Sequence, residues 1–143
     1  MTYACCTWAT TAGDENKLNI FERKVLRKIY GPVYNPDTQV WERRSNEQIQ
    51  HLYGKGNIVQ FVKGTRMEWA GHVWRADNSI VKKVIVNNLN RKRPRGRPKQ
   101  RWIDAVKRDI KELRPDWHGD LMYAYNREEW KNLILAAKGL NGL

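Results

Sequence analysis

Apolar positions recur at helical spacing along most of this chain and predict a series of short amphipathic helices stopped by Gly and Pro. Within 14–30, Leu18, Phe21, Val25 and Ile29 form one stripe with Leu26 and Tyr30 beside it, and Gly31-Pro32 ends the pattern. The outer face of that helix carries Arg23, Lys24, Arg27 and Lys28. Ser45, followed three residues later by Gln48, is a capping-box pattern that opens a short helix through Ile49, Leu52 and Tyr53, closed by Gly54. From 57 to 75, Ile58, Phe61, Val62, Trp69 and Val73 share a broad face. Gly64 and Gly71 interrupt it, each costing about 1 kcal/mol relative to Ala inside a helix. Asn78 caps a helix bearing Ile80, Val81, Val84 and Ile85. Pro98 suits a first helical turn, after which Trp102, Val106 and Ile110 step by four until Arg114-Pro115. A last helix begins near Asp120 and presents Leu121, Ala124, Trp130, Leu133, Ile134 and Ala137 before Gly139.

Two stretches fall outside this pattern. Residues 2–11 mix β-branched and aromatic side chains and predict a short strand or an extended arm. Residues 33–44 read as a loop with an extended piece around 39–41. No internal repeat and no strand–turn–helix alternation is present. The expected fold class is therefore mainly α: a small multi-helix fragment in two helical clusters, 1–90 and 102–143, joined by an extended basic connector at 91–101. Trp69, Trp102 and Trp130 lie on apolar stripes and are expected as core anchors. Trp41 and Trp74 remain open between packing and stacking on an unpaired base beside Arg43, Arg44 or Arg75.

Charge sharpens the picture at the connector. The segment 90–101, NRKRPRGRPKQR, holds seven basic residues and no acid, and 81–113 carries 12 Lys and Arg against three Asp and Glu. The whole chain of 143 residues has a formal net charge of +12, so most of its excess sits here. Such a focus calls for a polyanion, and nucleic acid (RNA, DNA or a hybrid) is the expected partner. The residues expected to touch it are Arg91, Lys92, Arg93, Arg95, Gly96, Arg97, Lys99 and Arg101, with Arg23, Lys24, Arg27 and Lys28 on the first helix. Pro94-Arg95-Gly96-Arg97-Pro98 resembles an AT-hook. Guanidinium groups favour the narrow minor groove of A·T tracts, and Gly lets the backbone approach its floor. A solvated basic linker accounts for the same residues without any groove contact.

The remaining composition mainly excludes. No stretch approaches the roughly 20 apolar residues of a membrane span. The opening residues have neither a basic region nor a long apolar run, so no secretory signal is expected and the chain reads as intracellular, nuclear or cytoplasmic. Cys5 and Cys6 are adjacent, which makes for poor disulfide geometry, and His51, His72 and His118 are scattered singly. No metal-ligand spacing, cofactor motif or small-molecule site is expected. Metal-dependent polymerases and nucleases need close carboxylates. Here Glu128 and Glu129 face different directions on a helix, while Asp104 and Asp109 lie among Lys107, Arg108 and Lys111, where surface salt bridges are expected. His72 has no acid or nucleophile spaced to orient it. No catalytic residue is assigned.

Several segments together resemble the C-terminal region of non-LTR retrotransposon reverse transcriptases of the RTE- and jockey-like endonuclease-bearing kind. YACCTW at 3–8 is similar to the Tyr-Gly-x-x-x-Trp that opens this region, and ENKLNIFERKVLRKIYGPV at 15–33 to its basic helix ending Arg-x-Ile-Tyr-Gly-Pro-Val. SNEQIQHLYG at 45–54, RMEWAGHVWR at 66–75 and KRPRGRPKQRWIDAVKRDI at 92–110 resemble its next three motifs, in order. NREEW at 126–130 resembles the closing Asp-Arg-x-x-Trp, with Asn126 in place of the acid. The resemblance implies a fragment: the thumb-like end of an RNA-directed DNA polymerase and a C-terminal helical module, lacking fingers, palm and the metal-binding aspartates. It implies nucleic-acid binding without catalysis. An AT-hook-type minor-groove protein and an inert decayed fragment are the alternatives.

Overall fold

In the computed structural model, which describes residues 2–77, 79–86 and 100–139, helices dominate. A 3-10 helix at Cys5–Thr7 precedes α1 (Ala12–Tyr30), the hairpin strands β1 (Val33–Asn35) and β2 (Val40–Glu42), α2 (Asn46–Tyr53), α3 (Ile58–Arg75) and α4 (Ile80–Val86). After the connector come α5 (Trp102–Leu113), a second 3-10 helix (Leu121–Tyr125) and α6 (Arg127–Ala137). The mainly-α expectation holds. The expected Asn78 cap and the Pro98 first turn lie outside the described residues.

Reciprocal caps set three of the helix starts. Asp14 N–H donates to Thr11 Oγ1 at 3.3 Å while Thr11 N–H donates to Asp14 Oδ2 at 3.0 Å, so α1 begins two residues before the expected Asp14. Bonds from Thr11, its hydroxyl first, hold the Asp14 carboxyl below its ordinary pKa. Ser45 and Gln48 exchange the same pair of bonds at 3.1 and 2.9 Å, as their spacing predicts, and Gly54 ends α2 at φ 62°. Asn57 and Gln60 repeat the device at α3. There the Ile58 N–H also donates to Glu22 Oε1 at 2.8 Å, pinning the start of α3 to α1.

α3 is the central element. Met67, Ala70 and Trp74 from it pack with Val106 and Ile110 of α5, Ala124, and Trp130, Leu133 and Ala137 of α6. The residues before and after the connector thus share one core. Trp130 meets Trp74 edge-on, with ring centroids 5.4 Å apart, and its indole N–H donates to Met67 O at 3.2 Å. The expected α5 stripe is present: Val106 and Ile110 are buried, and half-buried Trp102 donates its indole N–H to Cys6 O at 2.7 Å.

The two glycines that weakened the α3 pattern are needed for this packing. A Cβ at Gly71 would collide with the Trp130 indole, and one at Gly64 with the Lys138 side chain. Ala exceeds Gly in helix propensity by about 1 kcal/mol, so on local grounds Gly71→Ala stabilises. We expect the opposite sign, a net loss of about 1–3 kcal/mol from overpacking, read as a lower urea midpoint. A raised midpoint would show that α6 retreats without cost.

Several expectations are corrected. The opening residues form neither strand nor arm. They turn through a 3-10 helix after Ala4, at φ 53°, which lets Cys5 bury itself against α3. The extended piece expected around 39–41 is β2, but the rest of 33–44 is not a plain loop, because Val33–Asn35 pairs with it as an antiparallel hairpin, with Tyr34 opposite Trp41. The last helix is split at Asn126, whose side chain accepts from Glu129 N–H and restarts the helix as α6. Trp69 is exposed, because it falls at the margin of the buried arc of α3, whereas Trp74 is core. On α1, Leu26 is buried while the Phe21, Val25 and Ile29 stripe stays open, because α2 and α3 pack against its other side.

Asp109 is no surface residue either. Its carboxylate and Arg66 are both essentially fully buried, and Arg66 Nε and Nη2 donate to Asp109 Oδ2 at 2.8 and 2.5 Å. Arg66 Nη1 also donates to Trp8 O at 2.7 Å and to Thr10 Oγ1 at 3.0 Å, so the pair fastens the N-terminal turn to α3 and α5. Burial raises the Asp109 carboxyl above its ordinary pKa, and the Arg66 guanidinium opposes that rise. Arg108 completes the cluster through Glu15 Oε1 at 2.6 Å and Thr10 O at 3.2 Å.

Candidate nucleic-acid interface

The basic face of α1 is built by the hairpin that follows it. Gly31 takes φ 66° at the end of α1 and turns the chain back along the helix. Arg27 then secures the return: its Nε donates to Arg44 O at 3.2 Å and its Nη2 to Asn46 Oδ1 at 2.5 Å. Arg44 answers with Nε to Gly31 O at 3.1 Å. These bonds fix Arg27 and Arg44, both half-buried, as the frame of the site.

Around that frame lie two adjoining clefts. The first, of about 500 Å³, is lined by Ile20, Arg23, Lys24, Arg27, Arg43 and Asn46. The second, of about 310 Å³, lies between the end of α1 and the hairpin and is lined by Lys28, Trp41, Arg43 and Arg44 among others. Arg27 and Arg43 border both. The carboxylate lining the second cleft, Glu42, accepts from Asn35 Nδ2 at 2.8 Å and Thr38 Oγ1 at 3.2 Å, so hairpin donors already engage it. Trp41 stands over this surface 65% exposed, braced by Tyr34 with ring centroids 5.4 Å apart and planes at 60°.

Of the expected contact residues, Arg23, Lys24, Arg27 and Lys28 are therefore gathered on one face, with Arg43, Arg44 and Trp41 added by the hairpin. Arg101 is exposed at the start of α5, where its N–H donates to Asp104 Oδ2 at 3.4 Å. Arg91, Lys92, Arg93, Arg95, Gly96, Arg97 and Lys99 lie outside the described residues. What the periodicity missed is the hairpin itself. Its signal is the Asn35-Pro36-Asp37 turn between Val33-Tyr34 and Val40-Trp41, since these turn-forming residues bend the chain between two β-prone pairs.

The concavity at the start of α3 is less suited to a polyanion. It measures about 1060 Å³ and is lined by Glu22 as well as Lys55 and Lys138. Glu22 occupies the α3 N-terminus, and Lys138 Nζ is tied to Glu68 Oε1 at 2.5 Å. Burial raises the Glu22 carboxyl above its ordinary pKa, against the Ile58 N–H. Among the described residues, no group of three or more His, Cys, Asp or Glu side chains is placed to hold a metal ion. No described helix is long and apolar enough to cross a membrane.

Comparison with known proteins finds a Caenorhabditis elegans protein named as transposon-derived, 26% identical over 142 residues. The alignment covers 94% of this chain and 49% of that protein, so the chain spans about half the length of the curated relative it matches. No family model matches the sequence, and no solved structure matches the fold.

Proposed function

We propose that this chain is a noncatalytic, nucleic-acid-binding segment of a retrotransposon reverse transcriptase, an enzyme whose activity is RNA-directed DNA polymerisation. Its transposable-element origin is supported by the likeness to a transposon-derived protein across 94% of the chain. The finer assignment rests on the ordered motifs from 3–8 to 126–130. The observation that carries the binding role is the concave face where Arg23, Lys24, Arg27, Lys28 and Arg43 converge. Lys and Arg so arranged neutralise backbone phosphates and release their counterions. The open Phe21, Val25 and Ile29 stripe supports the same reading, since a run of exposed apolar side chains on one helix marks a contact surface. In the parent enzyme the palm and fingers are the partners this proposal assigns to it.

Filter binding with duplex DNA, an RNA hairpin and an RNA–DNA hybrid, each at two salt concentrations, tests the binding role. All three are expected to bind weakly, at roughly micromolar affinity or poorer at physiological salt. Retention of none of them, even at low salt, would leave the inert-fragment alternative. Activity is tested separately. Purified chain is expected to extend no primer on an RNA template with Mg²⁺ or Mn²⁺. Incorporation that survives repurification and disappears when a carboxylate of this chain is replaced would overturn the noncatalytic assignment.

A further inference from the structure

Any nucleic acid satisfies a phosphate-binding face, but Trp41 adds something that phosphates do not require. We infer that the cleft between α1 and the β1–β2 hairpin receives an unpaired nucleotide, with its base stacked on Trp41 and the flanking phosphates on Lys28 and Arg43. This inference rests on the proposed nucleic-acid binding of the same face.

Three observations lead to it. First, Trp41 is 65% exposed although seven-Trp composition gives this chain ample aromatic material for its core, and Tyr34 braces it from within the hairpin rather than burying it. An indole held by its neighbour yet open to solvent is a stacking platform, and every base offers it a π-face. Second, the ring lies on the wall of a cleft that it shares with Lys28, Arg43 and Arg44. Aromatic and cationic groups in one cleft match a base joined to phosphate. In a duplex both faces of each internal base are already covered by its neighbours, so the indole finds a partner only where the strand is unpaired. Third, Glu42, the non-cationic polar side chain that lines this cleft, already accepts through Oε1 from Asn35 and Thr38 within the hairpin. Recognition here is therefore of strand state, with little preference among bases.

Fluorescence anisotropy with a short labelled single strand and a blunt duplex of equal length, at low salt, tests this. Trp41→Ala is expected to weaken single-strand binding about 5- to 150-fold, the span of one lost base–aromatic stack, and to leave duplex binding essentially unchanged. Trp41→Phe should retain most of the affinity, and Arg43→Gln should weaken both ligands. Equal loss on both ligands with Trp41→Ala, or loss on neither, while the unaltered protein binds both, overturns the inference and leaves the nucleic-acid reading in place. Failure of the unaltered protein to bind either ligand overturns both. A measurement on the unaltered chain guards against a misfolded variant: a 5-iodouracil strand should photo-crosslink to the peptide containing Trp41, and a crosslink confined to other peptides counts against the site.

Discussion

Asp109→Ala is expected to cost about 3–5 kcal/mol, a large share of a domain's whole margin of the order of 5–15 kcal/mol. The change leaves the Arg66 guanidinium fully buried with only Trp8 O and Thr10 Oγ1 as acceptors. A buried charge without its counterion loses more than the pair ever contributed, since desolvation stays while attraction goes. The companion variant Arg66→Met with Asp109→Leu should recover most of the loss, because it removes both charges together. Glu112→Ala, which breaks the exposed Lys63–Glu112 pair at 2.7 Å, should cost no more than about 1 kcal/mol. Urea titrations of the three variants check this. An Asp109→Ala midpoint as high as that of Glu112→Ala would mean that water reaches Arg66 and that the pair is peripheral.

The placement of this ion pair shows how far the sequence could be read. Helix positions were legible because caps and stops are local: Ser45 with Gln48, Gly54, and Arg114-Pro115 all act within one turn. Which face of a helix is buried was less legible, because that depends on what packs against it. The α1 stripe of Phe21, Val25 and Ile29 has the right spacing for a core and is nevertheless open, while Leu26 beside it is covered. Asp109 lies among cations in the sequence, which suggested a surface role, yet its partner Arg66 is 43 residues away. No local pattern reports a pairing at that distance.

The motifs that carry the family resemblance also take on a physical meaning. Arg66 in the 66–75 segment holds Asp109, the last residue but one of the 92–110 segment. Gly71 admits Trp130 of the 126–130 segment, and Arg75 Nη1 donates to Ala124 O at 2.8 Å just before it. Those residue types at those spacings are thus explained first by how α3, α5 and α6 lock together. In the 66–75 segment, exposed Trp69 and His72 are left unexplained by packing. The candidate site drew on different residues. Its α1 cations were legible as a basic helical face, but Arg43 and Trp41 joined them only once the hairpin had folded back.

Between about 50 and 200 mM salt, duplex affinity is expected to fall about 150-fold if roughly four phosphates are neutralised, a slope of about −3.6 in log K against log salt. Against this salt dependence, the ways in which the connector at 91–101 can act are separable. Arg95→Ala with Arg97→Ala removes two guanidiniums from the Arg-Gly-Arg core while Arg91, Lys92, Arg93 and Lys99 remain. Phosphate contacts carry no sequence information, so an electrostatic connector loses affinity equally on A·T-rich and G·C-rich duplexes, and much of the salt slope survives. We expect that equal loss. A minor-groove role predicts something different: the double variant would lose A·T-rich binding selectively, because narrow A·T grooves attract guanidinium groups and G·C tracts do not. The α1–hairpin face supplies an internal reference, since Lys24→Ala with Lys28→Ala should flatten the salt slope by about 1.8 without any effect on base preference. A steep slope that neither pair of substitutions reduces would mean that Arg95, Arg97, Lys24 and Lys28 hold no phosphate, leaving Arg91, Lys92, Arg93 and Lys99 to account for it.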